Sequence, residues 1–207
     1  HATPPPLLRR TTTKGNAMTT TTATMTPTLA YSDPIEADHL ASPELRAYTP
    51  TERKTLLKQL KSGELTELEF DAVVFRAVYP NANSLRFHDQ DLAKLAHSFA
   101  GQPFLRNHDT HDIGARDGTI LFGEMRGTDL VQRIQLTSER GMQDYLQGRI
   151  DRFSIGWYYD GVTCSICHAD AMECSHWPGR KYEVEGQQTT CELIFENPSG
   201  KETSAVN

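Results

Sequence analysis

Short runs of alternating apolar and polar positions dominate the chain from about residue 49 onward, with three helical patterns among them. Alternation with a period of two is typical of strands, and apolar recurrence every three or four residues is typical of amphipathic helices. The strand-like runs are "ELEFDAVVFRAVYP", "QPFLRNHD", "GTILFGEMRG", "DLVQRIQL", "DRFSIGWYY", "TTCELIF" and "ETSAV". Many short strands with few helices predict an α+β, mainly β fold, a barrel or sandwich with helices packed outside.

The helical patterns carry their own boundary signals. In "YTPTERKTLLKQLKSG", Thr49 can cap the helix and Pro50 suits its first position. Glu52 completes a capping box with the threonine, and Gly63 ends the pattern. "DQDLAKLAHSF" predicts a second helix, and "SERGMQDYLQGR" predicts a third that Ser138 can cap.

Residues 1–48 differ from the rest of the chain in composition. Eleven of the first thirty residues are threonine, and large apolar side chains are few. Such a segment cannot bury enough apolar surface to offset the entropy of ordering it. We therefore predict a disordered Thr/Pro-rich segment over 1–48 and one folded domain over 49–207.

Charge and hydropathy argue against two classes of partner. The formal net charge is −6 and no basic block is present, so we do not expect nucleic acid as a partner. No apolar run approaches the roughly 20 residues that span a bilayer, and no signal-peptide apolar region is visible. We therefore expect no membrane partner.

A small hydroxyl group, that of Ser154, stands in the middle of the aromatic run "DRFSIGWYY". It is either a solvent-facing strand residue or a nucleophile held on a rigid strand. A nucleophilic serine needs a base, and imidazole serves near neutral pH. The candidate bases in the folded part are His88, His108 and His111. A competing interpretation of "RNHDTHD" is a metal site built from His108, Asp109, His111 and Asp112.

The order of several motifs resembles the phage prohead (capsid maturation) protease family, which is related to the herpesvirus assemblin proteases. The matching runs are "FRAVYPNANSLRFHDQDLAKLAHSFAGQPFLRNHDTHDIG", "YLQGRIDRFSIGW" and "ETSAV". The family places a histidine in an "NHD"-like turn, a serine in a "hydrophobic-S-hydrophobic-G" strand, and an "E-x-S-hydrophobic-V" strand near the end. The resemblance covers roughly Leu68 to Val206.

This resemblance implies a herpesvirus-protease-like β-barrel with a few packed helices and a Ser/His peptidase site. By position, Ser154 matches the nucleophile and His108 matches the general base. Glu202 is our choice for the third residue, which orients the imidazole and stabilises its charged form. Asp109 and His111 remain alternatives for that third position.

A Cys/His-rich loop over 160–182 contains Cys164-x2-Cys167-x6-Cys174-x-His176. Three thiolates and one imidazole fill a tetrahedral zinc shell and leave no open position, so the expected zinc is structural and catalysis needs no cofactor. His168 is an alternative fourth ligand. We interpret Cys191 as a buried core thiol that shares a strand face with Leu193 and Phe195, so that its replacement should leave the metal content unchanged. Some prohead proteases carry a similar insertion after the serine strand.

The resemblance implies a serine endopeptidase that cleaves a scaffold protein, the major capsid protein or both, and also itself. Its expected location is the host cytoplasm, inside the assembling procapsid, and self-association is a further expectation. The start at His1 and the end at "SAVN" lead us to expect a fragment or a self-processed chain. The alternative function is a non-enzymatic, zinc-ribbon-like binding module on a β scaffold, in which Ser154 and His108 would be unrelated surface residues.

Overall fold

The computed structural model describes residues 35–36 and 45–206. Most of the predicted disordered segment lies outside the described residues, and its disorder stays a prediction. Two residues ahead of the predicted domain start already contact the fold. The backbone N–H of Arg46 donates to Asp71 Oδ2 at 2.9 Å, and the Tyr48 hydroxyl donates to the carbonyl of Glu69 at 2.8 Å.

Three helices and twelve strands make up the described chain. The helices are α1 (Pro50–Ser62), α2 (Asp89–Ser98) and α3 (Glu139–Leu146). The strands are β1 (Ile35–Glu36), β2 (Leu68–Arg76), β3 (Leu85–Phe87), β4 (Pro103–Arg106), β5 (Arg116–Arg126), β6 (Asp129–Leu136), β7 (Arg152–Tyr158), β8 (Gly161–Cys164), β9 (Lys181–Val184), β10 (Gln187–Thr190), β11 (Leu193–Glu196) and β12 (Ser199–Ala205). The prediction of a mainly β chain with three helices is confirmed.

Seven strands form one sheet in the order β1-β7-β12-β4-β5-β6-β2. Strand β2, at one end of this order, also contacts β7 and β1 near the other end, because the sheet curls into a half-barrel. Within the described residues, β3, β11 and β8 form a separate three-stranded sheet, and β9 and β10 form a hairpin. No described helix is both long enough and apolar enough to cross a bilayer.

Local signals in the sequence set the element boundaries as expected. Thr49 and Glu52 form the capping box of α1, and Gly63 ends the helix at φ 77°. The turn between β5 and β6 has Gly127 at φ 60° in its first central position, which is the geometry of a type II′ hairpin. Ser138 caps α3 by accepting from the N–H of Gly141 at 2.8 Å.

The predicted loop over 160–182 contains more regular structure than expected. Its first residues form β8, which pairs with β11, and its last residues begin β9. The predicted strand "TTCELIF" is split, because Cys191 and Glu192 separate β10 from β11. Strands β3, β8, β9 and β10 are three or four residues long, too short for alternation to stand out in the sequence.

The core is aromatic and lies inside the curl of the sheet. The ring of Phe70 stacks on that of Tyr145 with centroids 4.1 Å apart and contacts Phe153 at 6.0 Å. The ring of Phe87 meets Trp157 edge-on at 5.0 Å. Phe153 and Trp157 belong to β7, so the apolar face of the serine-bearing strand is fixed by the core.

A buried ion pair joins β2 to β6. Arg133 donates from Nε and Nη2 to the two carboxylate oxygens of Asp71 at 2.8 and 3.0 Å. Burial by itself would raise the pKa of Asp71, but the hydrogen bonds from Arg133 and from the Arg46 N–H lower it below its ordinary value. The Asp71 carboxylate is 1% exposed and the Arg133 side chain 30% exposed, whereas Arg76 and Asp129 in the similar pair are 36% and 31% exposed, so the two pairs differ in the burial of the carboxylate.

We predict that Asp71→Asn lowers the free energy of unfolding by about 1.5–3 kcal/mol at neutral pH, since charged hydrogen bonds are lost in a buried position. The control Asp129→Asn should cost less than about 1 kcal/mol, as exposed pairs do. Because the folded-state pKa of Asp71 is lowered, its contribution is present above the unfolded-state pKa and is lost as the pH falls below about 4. Urea denaturation at neutral and acidic pH measures both effects, and equal losses in the two variants would contradict the prediction.

Candidate active site

Three neighbouring strands bring the predicted site residues together. Strand β12 pairs antiparallel with β7, and the register sets Ser154 opposite Ser204 and Gly156 opposite Glu202. On its other edge β12 pairs parallel with β4, which leads directly into His108. Residues opposite one another, or two apart on one strand, share a face of the sheet, so Ser154, Ser204 and Glu202 lie on one face.

A β-bulge aims the carboxylate of Glu202. The β7–β12 register shifts between Gly200 and Glu202, so that Lys201 is an extra residue on β12. Bulges bend a strand and redirect its side chains, and they are frequent beside functional sites. The bulge is tightly packed, because a Cβ on Gly200 would lie 2.7 Å from the ring of Phe99.

His108 is held in a turn that leaves β4 at the edge of β12. The N–H of Asp109 donates to the carbonyl of Arg106 at 2.9 Å, and the two central residues, Asn107 and His108, have φ values of 47° and 59°. A positive φ is uncommon for residues other than glycine, and it is found where surrounding contacts impose it. Here the N–H of Asn107 donates to Ala205 at 2.9 Å and that of His108 donates to Ser204 Oγ at 3.0 Å.

The Glu202 carboxylate connects the imidazole to β12. His108 Nδ1 lies 2.6 Å from Glu202 Oε1, and the Ser204 hydroxyl donates to Glu202 Oε2 at 2.6 Å. Glu202 is fully buried, and the described ion pairs join it to His108 only. A buried carboxylate needs such partners, and it accepts a hydrogen bond from the tautomer of His108 that carries its proton on Nδ1. The arrangement can therefore hold an imidazole as a base.

Gly156 makes room for that carboxylate. A Cβ at this position would lie 2.3 Å from Glu202 Oε1 and 3.2 Å from its Cδ. The glycine of the run "SIG" is therefore required by the glutamate on the neighbouring strand. The sequence offered a signal for this contact, since glycine is unusual in the interior of a strand, but the partner is visible only in the structure.

Ser204 is a second residue whose role the sequence did not indicate. Its hydroxyl accepts from the His108 backbone and donates to the carboxylate of Glu202. It thereby joins the turn after β4 to the acid on β12. The only available signal was its place as the serine of "ETSAV", two residues after the glutamate and on the same strand face.

The alternative third residues lie elsewhere in the turn. Asp109 Oδ1 accepts from the N–H groups of His111 and Asp112 at 2.9 and 3.0 Å, and these bonds lower the pKa of the Asp109 carboxyl. Asp112 caps a short 3-10 turn by accepting from Gly114 N–H at 2.8 Å. Within the described chain these side chains do not form a metal-ligand cluster with His108.

The Cys/His loop gathers a second cluster. Its ligand atoms all lie within 4.8 Å of one another, and the residues are Cys164, Cys167, Cys174 and His176. This is the set predicted from the spacing, and it could hold a metal ion. Nδ1 of His176 is buried and has no hydrogen-bond partner among the described residues, which fits a nitrogen that binds a metal.

The turn around Cys164 is shaped for a thiolate. The N–H of Ile166 donates to Cys164 Sγ at 3.4 Å, and the N–H of His168, at φ 56°, donates to the Cys164 carbonyl at 2.9 Å. Burial would raise the pKa of Cys164, but N–H donors from Cys167 and Ile166 lower it to about 6. His168 is exposed and completes this turn, and it does not belong to the four-residue cluster.

Cys191 is buried, as predicted, but its surroundings differ from the prediction. Its sulfur lies 3.7 Å from Cys164 Sγ, at the edge of the metal cluster. It precedes β11 instead of sharing that strand with Leu193 and Phe195.

No family model matches the chain, and no curated protein matches its sequence. The structure is similar to that of the bacteriophage T4 capsid assembly protease, gp21. The identity is 15% and the TM-score is 0.43, over 87% of this chain and 98% of that chain. The likeness concerns the chain path and assigns no role to any residue.

We predict that Gly156→Ala disturbs the site through its Cβ, which must displace the Glu202 carboxylate. Overpacking of this kind costs about 1–3 kcal/mol of folding stability. The matched control is Gly161→Ala, whose Cβ would meet the more exposed Glu196 carboxylate at 3.2 Å, where a small side-chain shift suffices. Thermal unfolding of both variants provides the measurement. A Gly156→Ala protein as stable as the Gly161→Ala protein would show that the carboxylate moves without cost.

Proposed function

We propose that this protein is a serine endopeptidase in which Ser154 is the nucleophile, His108 the general base and Glu202 the residue that orients and stabilises the imidazole. The observation that carries the proposal is the buried hydrogen-bonded chain from His108 Nδ1 through Glu202 to Ser204, which lies opposite Ser154 in register. A carboxylate on one imidazole nitrogen orients the ring, and the other nitrogen activates a serine hydroxyl that comes within hydrogen-bond reach of it.

In the proposed reaction, the Ser154 oxygen attacks the carbonyl carbon of the scissile peptide bond while its proton passes to His108 Nε2. The imidazolium then gives that proton to the leaving amine, and an acyl-enzyme remains. A water molecule then attacks the acyl carbon and gives a proton to His108 Nε2. The imidazolium passes that proton to the Ser154 oxygen, which restores the hydroxyl and releases the new carboxyl terminus. Glu202 stabilises the imidazolium in both steps without taking its proton.

Substrate access to Ser154 requires a rearrangement, because this residue is 1% exposed and His108 is 7% exposed. Strand β12 pairs with six residues along one edge of β7, whereas β1 pairs only with Phe153 and Arg152 beside the serine. The two-residue strand has the fewest backbone hydrogen bonds to lose. We expect β1 to separate from β7 when a peptide binds.

The substrates follow from the resemblance of the sequence motifs to prohead proteases. They would be a scaffold protein, the major capsid protein or both, with self-cleavage in addition, inside an assembling procapsid in the host cytoplasm. The alternative of a non-enzymatic binding module treats Ser154 and His108 as unrelated surface residues. Both residues are buried, Ser154 on β7 and His108 in the turn after β4, with only β12 between the two strands, which favours the endopeptidase.

For the metal cluster we propose one structural zinc ion, held by Cys164, Cys167, Cys174 and His176. Zinc bound to three thiolates and an imidazole is closed to substrate, so its contribution is to fold the loop. The loop begins with β8, directly after β7, which carries Ser154. Its end is followed by β11 and then by β12, which carries Glu202. Closing it lowers the entropy cost of ordering both ends.

A docking role for the same loop is a second candidate, favoured by an apolar cleft of about 990 Å³ beside the cluster. Met172 and Trp177, which line it, are 89% and 66% exposed. Large apolar side chains exposed next to each other are typical of protein contacts. In this case the loop would bind the capsid or scaffold protein that the site cleaves.

We predict that Ser154→Ala and His108→Ala each lower the rate of cleavage of capsid or scaffold protein at least ~10³-fold, and that the double variant is no worse than either. Glu202→Gln should give a smaller loss, because an orienting group contributes less than the attacking pair. Ser84→Ala, at another buried serine, and His97→Ala, at an exposed histidine, serve as controls that should cleave normally. Strongly additive losses in the double variant would refute the pairing, and an unaffected Glu202→Gln protein would assign the third position to another residue.

For the loop we predict one zinc per chain in the purified protein, and its loss in the combined variant Cys164→Ser, Cys167→Ser. The metal-free variant should have a lower melting temperature and lower activity that partly returns on cooling, since no catalytic group is removed. His168→Asn, which keeps a residue that tolerates a positive φ, should retain the zinc. The cleavage rates of a short peptide and of assembled shells distinguish the two roles. If the loop only docks the substrate protein, the metal-free variant cleaves the shells more slowly and the peptide normally. Full stability and activity on both substrates without metal would contradict both.

A further inference from the structure

Cys191 is a fully buried thiol that the proposed zinc shell does not use. Its backbone is fixed from both sides, because its N–H donates to the Arg180 carbonyl at 2.8 Å and its carbonyl accepts from Gly179 N–H at 2.9 Å. The next residue, Glu192, is hydrogen-bonded to the first half of the loop. Its N–H donates to Ser165 Oγ at 2.8 Å, and the N–H of Ser165 donates to the Glu192 carbonyl at 3.0 Å. The Cys191 side chain therefore has a defined position relative to both halves of the loop.

Among the described hydrogen bonds, the one made by the sulfur of Cys191 joins it to Cys164. It lies 3.7 Å from Cys164 Sγ, too far for a disulfide and near the ligand-to-ligand distance of about 3.8 Å in a tetrahedral zinc–sulfur site. The four residues whose ligand atoms lie within 4.8 Å of one another do not include Cys191. A four-coordinate ion is already complete without it.

The direction of the sulfur–sulfur contact follows from the other bonds of Cys164. Its Sγ accepts from Ile166 N–H at 3.4 Å, and either sulfur of the pair could donate to the other. A zinc-bound Cys164 thiolate has no proton to donate, so in the proposed site Cys191 is the S–H donor. Three thiolates already outweigh the two charges of a zinc ion, so a further thiolate in this buried place would add repulsion to the desolvation cost. The thiol form of Cys191 satisfies a lone pair of the ligand sulfur at no such cost.

We propose that Cys191 is a positioning residue of the metal centre, which donates a hydrogen bond from its thiol to the Cys164 sulfur and does not bind the ion itself. The inference rests on the metal site proposed above and adds a residue that the ligand spacing does not reveal. Partners of metal ligands typically change metal affinity 10–100-fold when they are removed.

The test measures zinc affinity by competition with a chelator under reducing conditions, in the full chain. Cys191→Ala should weaken zinc binding about 10–100-fold while the stoichiometry stays at one ion. Cys191→Ser, which keeps a donor of similar size, should bind within a few-fold of the original protein. The packing control is Ile194→Val, a buried position in β11 that removes one methyl group and no donor.

Cobalt(II) spectra distinguish a positioning residue from a ligand. The thiolate-to-cobalt charge-transfer bands of Cys191→Ala should keep their intensity, because three thiolates still bind, whereas Cys167→Ala should lose about a third of it. An unchanged zinc affinity in Cys191→Ala, an equal loss in Ile194→Val, or a loss of charge-transfer intensity in Cys191→Ala each overturns the proposal. If the original chain binds neither zinc nor cobalt, both the proposed metal site and the proposed role of Cys191 are refuted. Tight binding by both the original chain and Cys191→Ala overturns the inference alone.

Discussion

The buried carboxylate of Glu202 is the group on which the arrangement of the candidate site depends. A fully buried negative charge is tolerated only with close partners, and here each oxygen has one, from His108 and from Ser204. To meet them, β12 carries a bulge at Lys201, β4 ends in a turn with two positive φ values, and β7 has a glycine at position 156. The contacts of this one carboxylate thus explain the bulge in β12, the turn after β4 and the glycine in β7.

The metal cluster is connected to this site through the strands and not through direct contacts. Cys164 ends β8 and lies opposite Leu193 of β11, and β11 is followed by the strand of Glu202. A metal ion that closes the loop therefore acts on the ends of β7 and β12 together. Because few residues of the loop belong to the core, the proposed metal bonds and the hydrogen bonds at Cys191 and Glu192 would be its main source of order.

The sequence predicted those features that depend on neighbouring residues or on residue type. The capping box of α1, the Ser138 cap of α3 and the Cys/His spacing are local, and each is found in the structure. The contacts of Gly156 and Ser204 could not be predicted, since they depend on the register between β7, β12 and β4, whose residues are far apart in the chain. The same holds for the sulfur of Cys191, whose neighbour Cys164 is 27 positions away.

Strand β7 serves the core and the candidate site at once, and its alternation explains why a serine stands in an aromatic run. Phe153, Ile155 and Trp157 point into the aromatic core, while Ser154 and Gly156 lie on the opposite face toward Glu202. The core contacts fix the position of the serine oxygen more firmly than a loop could, which suits the proposed role of Ser154 as a nucleophile. The same rigidity means that exposure of Ser154 to a peptide cannot come from β7 itself. It has to come from a segment with few core contacts, such as the two-residue strand on its outer edge.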